Sequence, residues 1–163
     1  MTTTKTYYGL SSNKNHAYFS DWEFGTEQER LMYPLLKIVY GEDLVWNNAD
    51  NTAKFDYQNR LYNVEMKSRK YKSYQFDELE ISADKCILMD GKKTILIMNM
   101  IDKLLAIEYT PESFQNFRQV RKARDNIKGH EKLHYYIPTK LFRVLSTNHR
   151  PDENGCLIKF EDF

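Results

Sequence analysis

The stretch 54–67 constrains this chain more than any other. Lys54, Phe55, Asp56 and Tyr57 lead into Gln58, Asn59 and Arg60, and Leu61 to Lys67 follow. It reads as two short strands joined by a tight turn. Side chains alternate faces along a strand, so residues two apart share a face. Tyr62, Val64 and Met66 then form an apolar face, and Asn63, Glu65 and Lys67 a polar one. The first strand sorts the same way, Phe55 and Tyr57 against Lys54 and Asp56.

The turn decides how the polar faces meet. With Asn59-Arg60 as a two-residue loop, Asp56 lies opposite Asn63 and diagonal to Glu65, roughly 7–8 Å away at the backbone. A shifted loop sets Asp56 directly opposite Glu65. A one-residue slip would mismatch Phe55 and Tyr57 with Val64 and Met66, which the apolar pattern disfavours. Asp56, Glu65 and Lys67 are therefore expected on one face. Two carboxylates and an ammonium there suit a hard cation such as Mg²⁺, which takes one or two carboxylates, phosphate oxygens and waters. The lysine can orient or help deprotonate a water. The competing reading is a solvated hairpin face with an incidental Lys67–Glu65 pair.

The rest of the chain narrows the setting. Its 163 residues suit a single domain, 1–163, with 41% hydrophobic and 29% charged residues. The net charge of +1 announces no global basic field. Local charge is uneven: Lys67, Arg69, Lys70 and Lys72 form a basic run directly after the polar face. A second run, between Arg118 and Lys132, reads as a solvated face. Aromatic content is 14% with twelve tyrosines, rings that pack while their hydroxyls reach polar partners. Cys86 and Cys156 form no CxxC pair and read as buried free thiols in an intracellular, reducing compartment, cytoplasm or nucleus. His16, His130, His134 and His149 lack zinc spacing. No apolar run reaches membrane-spanning length, so no membrane partner is expected.

In chain order, 1–20 reads as an N-terminal arm. Residues 21–40 read as a helix, with Leu31, Leu35, Ile38 and Val39 at helical spacing, Pro34 as a kink and Gly41 as a stop. Glu27 shares a stripe with Leu31, Leu35 and Ile38; Glu29 shares one with Met32, Tyr33 and Leu36. Either glutamate is a contender for an inward position. A strand at 43–46, a turn at 47–51 and the hairpin follow. Leu79, Ser82/Ala83 and Cys86/Ile87 predict a helix over 75–88 that carries Lys85. Asp90-Gly91 is a turn, and 94–98 and 104–108 are strands. Thr110, Pro111 and Glu112 begin a helix predicted to run to 125, with Phe114, Phe117 and Arg121 on one face. Then come a strand at 132–137, a short helix at 139–145 and a last strand at 156–160.

That order, with Asp56 and then Glu65-Met66-Lys67, resembles the PD-(D/E)XK nuclease superfamily over roughly 23–108. The resemblance implies an α/β fold: a restriction-endonuclease-like αβββαβ core, a mixed sheet flanked by helices, with 110–163 as C-terminal additions. Phe55 stands where the motif's proline is expected. Gly25 to Arg30 resembles the opening of archaeal Holliday-junction resolvases, where a glycine is followed four residues later by a site glutamate; that likeness selects Glu29 over Glu27. Lys85 resembles the extra residue that many members carry on the second helix.

What the resemblance implies is a metal-dependent deoxyribonuclease, an endonuclease, with junction resolution as one structure-specific form. Mg²⁺, with Mn²⁺ as substitute, would be held by Asp56, Glu65, the Met66 backbone carbonyl and Glu29. Lys67 would position or activate the water. Ser68, Arg69, Lys70, Lys72 and Lys85 would hold backbone phosphates of duplex or branched DNA, and a resolvase would act as a homodimer. The alternative is a non-catalytic nucleic-acid-binding protein on the same fold; a third reading is an interaction domain with an incidental acidic hairpin.

Overall fold

The computed structural model describes residues 14–48, 52–123 and 131–149. Helix α1 spans Lys14–Tyr40, so the last part of the expected arm is helical. Its buried face is Gln28, Met32, Leu35 and Leu36, spaced i, i+4, i+7, i+8. Ile38, expected inward, is 74% exposed. The inner stripe thus runs through Met32 and Leu36, the one that Glu29 shares. Pro34 lies inside the helix and removes only the N–H that would bond the Arg30 carbonyl. Gly41 closes the helix with φ +132°, and a Cβ there would stand 2.6 Å from Asp43 Oδ1.

The strands are β1 (Val45–Trp46), β2 (Tyr57–Gln58), β3 (Tyr62–Ser68), β4 (Glu78–Ser82), β5 (Lys93–Asn99) and β6 (Leu104–Tyr109). A one-turn helix α2 (Pro111–Phe114) precedes β7 (Arg118–Ala123), β8 (Glu131–Pro138) and β9 (Arg143–Ser146). A six-stranded sheet has the order β1-β2-β3-β5-β6-β9, and a three-stranded sheet the order β4-β8-β7. β3 and β5 run parallel; their neighbours run antiparallel. The architecture is α/β with a mixed sheet.

β5 explains the layering. It is buried from Thr94 to Asn99, a continuous run that requires cover on both faces. Ile95 and Ile97 pack with Met32 and Leu36 of α1. Leu96 and Met98 pack on the other side with Leu79, Ile81 and Ile137 of the small sheet. The helix covers one face of the large sheet and the small sheet covers the other.

The hairpin takes the shifted register. Tyr57 pairs with Val64 and Gln58 with Asn63, which sets Asp56 across from Glu65 one step further along. Asn59 fixes the link: its Oδ1 accepts from the N–H of Leu61 (3.0 Å) and Tyr62 (2.8 Å), while its Nδ2 donates to the Tyr40 carbonyl (3.0 Å). The Asp90-Gly91 turn and the β5–β6 hairpin lie where expected.

Three predicted helices are corrected. Residues 75–88 hold a 3₁₀ turn, β4 and a second 3₁₀ turn, Ala83–Lys85. Leu79 and Ile81 are buried while Glu78, Glu80 and Ser82 are not, a period of two that β8 completes by pairing from Glu78↔Pro138 to Ser82↔His134. The expected αβββαβ order therefore has a strand and 3₁₀ turns in place of its second helix. The helix predicted over 110–125 ends after one turn. Thr110 caps it as expected, but Phe114 and Phe117 then close ring on ring at 5.0 Å and the chain enters β7. The short helix at 139–145 shrinks to a 3₁₀ turn, Thr139–Leu141, before β9. The strand expected at 156–160 lies outside the described residues. Among the described residues, no helix is long and apolar enough to cross a membrane. Cys86 is a buried free thiol that burial, with the nearby Asp84 charge, pushes up to about 12; Cys156 lies outside the described residues.

Candidate functional site

Glu65 sits in the middle of β3, on the face opposite Val64 and Met66, with 3% of its surface exposed. Its Oε1 is 3.3 Å from Lys67 Nζ and its Oε2 is 3.4 Å from Lys85 Nζ. Neither contact saturates the group: Oε2 is buried and makes no hydrogen bond. Asp56 comes from the turn before β2, where β3 outruns its partner. Its Oδ2 accepts from the Met66 N–H at 2.9 Å. The N–H and C=O of one strand residue point to the same side, so the Met66 carbonyl turns toward Asp56 as well. The sequence grouping of Asp56, Glu65 and Lys67 on one face holds in the structure.

Burial dominates the electrostatics. It raises the Asp56 carboxyl against the pull of the Met66 N–H and the two lysines. It raises Glu65 as well, joined by the Asp56 charge and opposed by Lys67 and Lys85. Glu29 rises to about 7, through burial first and the Asp56 charge second. Glu29 Oε1 accepts from Trp46 Nε1 at 3.1 Å, and its backbone carbonyl accepts from the Tyr57 hydroxyl at 2.7 Å. Glu27 faces away, tied to Arg30 in an exposed pair that lowers its carboxyl. Of the two contenders on α1, the structure brings Glu29 to the acids.

The remaining expected residues separate. Lys85 lies on a 3₁₀ turn and reaches inward: Nζ donates to the Lys54 carbonyl and stands over the Phe55 ring. A cleft of about 450 Å³ between α1 and the end of β3 is lined by Glu29, Lys67, Ser68, Arg69 and Lys70, among others. Ser68 also accepts from Asn99 Nδ2 at 2.9 Å, beside the buried Gln28–Asn99 bond of 2.9 Å. Lys70 stands over the Phe24 ring and Lys72 over Tyr74. Trp46 and Asn99 escaped the sequence reading because their partners are distant in sequence; the sole local hint is a strand that carries a hydrogen-bonding indole.

Among the described residues, no group of three or more His, Cys, Asp or Glu side chains is arranged to hold a metal ion. The arrangement is instead two acids that meet, a third nearby, two ammonium groups and a polar cleft. Compared with known proteins, the chain matches no family model, no curated protein and no solved structure.

Proposed function

We propose that this chain is a metal-dependent deoxyribonuclease, an endonuclease of the PD-(D/E)XK type acting on phosphodiester bonds. The observation that carries the reading is half-buried Asp56, just before β2, set across from buried Glu65 of β3, with Lys67 two residues on and opening to the cleft. In support of a restriction-endonuclease-like reading stand α1, the β1–β2–β3 run and the parallel β5; against it stands β4 where that plan expects a helix.

Asp56, Glu65 and the Met66 carbonyl would hold Mg²⁺ or Mn²⁺, with Glu29 completing the site. The fit rests on the residues. Both acids are crowded away from water, and Glu65 Oε2 lacks a hydrogen bond. A divalent charge relieves that crowding. Two carboxylates rather than a closed set of ligands suit Mg²⁺, which keeps several waters, better than zinc. When bound, the ion stabilises charge on the phosphate and lowers the pKa of its water. Lys67, whose side chain is 41% exposed, orients the attacking water. Arg69 and Lys70 hold flanking phosphates in the cleft. The likeness of Gly25 to Arg30 to the opening of archaeal Holliday-junction resolvases implies a branched substrate cut by a homodimer.

One observation favours the non-catalytic reading: Lys67 and Lys85 together face both oxygens of Glu65. The experiment offers supercoiled DNA, single strands and a four-way junction to the protein with Mg²⁺ or Mn²⁺, with light scattering for the oligomeric state. Metal-dependent cleavage that disappears in Asp56→Asn supports the nuclease. Binding without cleavage by folded wild-type protein overturns it in favour of the non-catalytic reading.

A further inference from the structure

A second cleft, also about 450 Å³, adjoins the first. Its lining includes Lys67, Arg69, Glu80, Lys122, Lys132 and His134. Lys67 and Arg69 line both clefts, so the cleft beside the acids adjoins one bordered by the β4-β8-β7 sheet. Lys122 of β7 is paired with Glu80 of β4 at 2.6 Å, and Lys132 of β8 with Asp84 of the 3₁₀ turn after β4 at 3.2 Å. Those ammonium-bearing side chains keep 45% and 53% of their surface exposed. Pairs this exposed contribute little to stability, so a phosphate can replace the carboxylate at little cost. The second cleft carries four full positive charges against the single carboxylate of Glu80.

We propose that β7 and β8 form a phosphate track: the DNA backbone seated at the Asp56–Glu65 site continues across this small sheet, with successive phosphates on Lys122 and Lys132. The inference rests on the nuclease reading for the polyanion that enters the cleft. It assigns a role to a charge run that composition alone reads as a solvated face. Glu80 acts as an internal competitor. It holds Lys122 in place in the free protein, and Tyr136 also donates to it at 2.5 Å.

The test measures binding rather than cutting. Fluorescein-labelled duplex and single-stranded oligonucleotides are titrated with full-length protein in EDTA, by anisotropy, from 50 to 200 mM NaCl. Each lost phosphate contact lowers the slope of log K against log salt by about 0.9 on duplex DNA. The expected result for Lys122→Ala/Lys132→Ala is a slope smaller by roughly two and an affinity about tenfold weaker at 50 mM. Lys92→Ala, which lines neither cleft, leaves both unchanged. Glu80→Gln frees Lys122 and tightens binding several-fold; this gain of function does not depend on the double variant folding well. An unchanged slope in the double variant, with wild-type protein that binds and cuts, overturns the track and leaves the nuclease intact. A reduced slope in a protein that never cuts supports the track and removes the nuclease. Absence of binding by wild-type protein at 50 mM salt overturns the track outright.

Discussion

Lys67 and Lys85 reach Glu65 at 3.3 and 3.4 Å beneath the small sheet, while Lys122 of β7 reaches Glu80 of β4 at 2.6 Å and Lys132 of β8 reaches Asp84 on the following 3₁₀ turn at 3.2 Å. The residue types are the same. At Glu65, burial raises the carboxyl and the Asp56 charge adds to it, more than the two lysines offset. At Glu80, burial also raises, but hydrogen bonds from Lys122 and Tyr136 outweigh it and the carboxyl ends lower. Burial raises the inner carboxyls in spite of two lysines, whereas hydrogen bonds lower the outer one in spite of burial. Raised carboxyls grouped beside a cleft make the inner acids the candidate functional site.

The sharpest way to break the contrast is to neutralise an inner acid. Asp56→Asn or Glu65→Gln removes several kcal/mol of transition-state stabilisation on the nuclease reading. Cleavage then falls by roughly 10³-fold or more. Gel assays of supercoiled DNA read the loss directly, and retained activity in either purified variant sinks that residue's role. Trp46→Phe is the next largest. It frees Glu29 while keeping the ring packed against Tyr33, so activity drops about 10–100-fold, the usual cost of losing an orienting partner. An unchanged rate would make the indole bond structural.

Metal addition sharpens the same contrast in stability. Mn²⁺ at 100 times its dissociation constant stabilises the folded protein by about 2.7 kcal/mol. At roughly 2–4 °C per kcal/mol the rise in Tm is plain in a thermal melt. Asp56→Asn abolishes the rise and Lys122→Ala keeps it.

The pH dependences are opposite in sign. The Glu29 carboxyl stands at about 7 in the folded protein against an ordinary 4.5, so its contribution is full below 4.5 and is lost as pH rises through 7. Glu80 is lowered below 4.5, so its contribution is present above that value and lost as pH falls beneath it. Metal-free Tm should therefore decline between pH 4.5 and 7 in wild-type protein and decline less in Glu29→Gln. Glu80→Gln should flatten only the acid side. The smallest effect belongs to Arg118→Ala, which breaks the 2.9 Å pair with Glu78: about 0–1 kcal/mol by denaturant titration.

The course of the chain shows why some features were legible beforehand. The polar face of β3, the α1 stop at Gly41, the Thr110 cap and the β5–β6 hairpin depend on neighbours in sequence, and alternation or capping announces them. The misread segments depend on distant partners. Residues 78–82 fit a helix or a strand by pattern until β8 pairs with them, and 118–123 become a strand because β8 is alongside. Ile38 looked inward because a helix of apolar residues offers two stripes, and the sheet beneath chose the other.

By itself, then, the sequence determined that Asp56, Glu65 and Lys67 share a face, because a strand's period of two admits no other placement of Val64 and Met66. It could not determine the register that opposes Asp56 to Glu65 or the contact of Lys85 with Glu65 from a 3₁₀ turn, and helical spacing alone left Glu27 and Glu29 equal, a family likeness favouring Glu29. Those were decided by tertiary packing: α1 lies on one face of β3 and β5, the small sheet lies on the other, and the acids are closed in between elements far apart in the chain. Burial, which follows only from that closure, raises the Asp56, Glu65 and Glu29 carboxyls together.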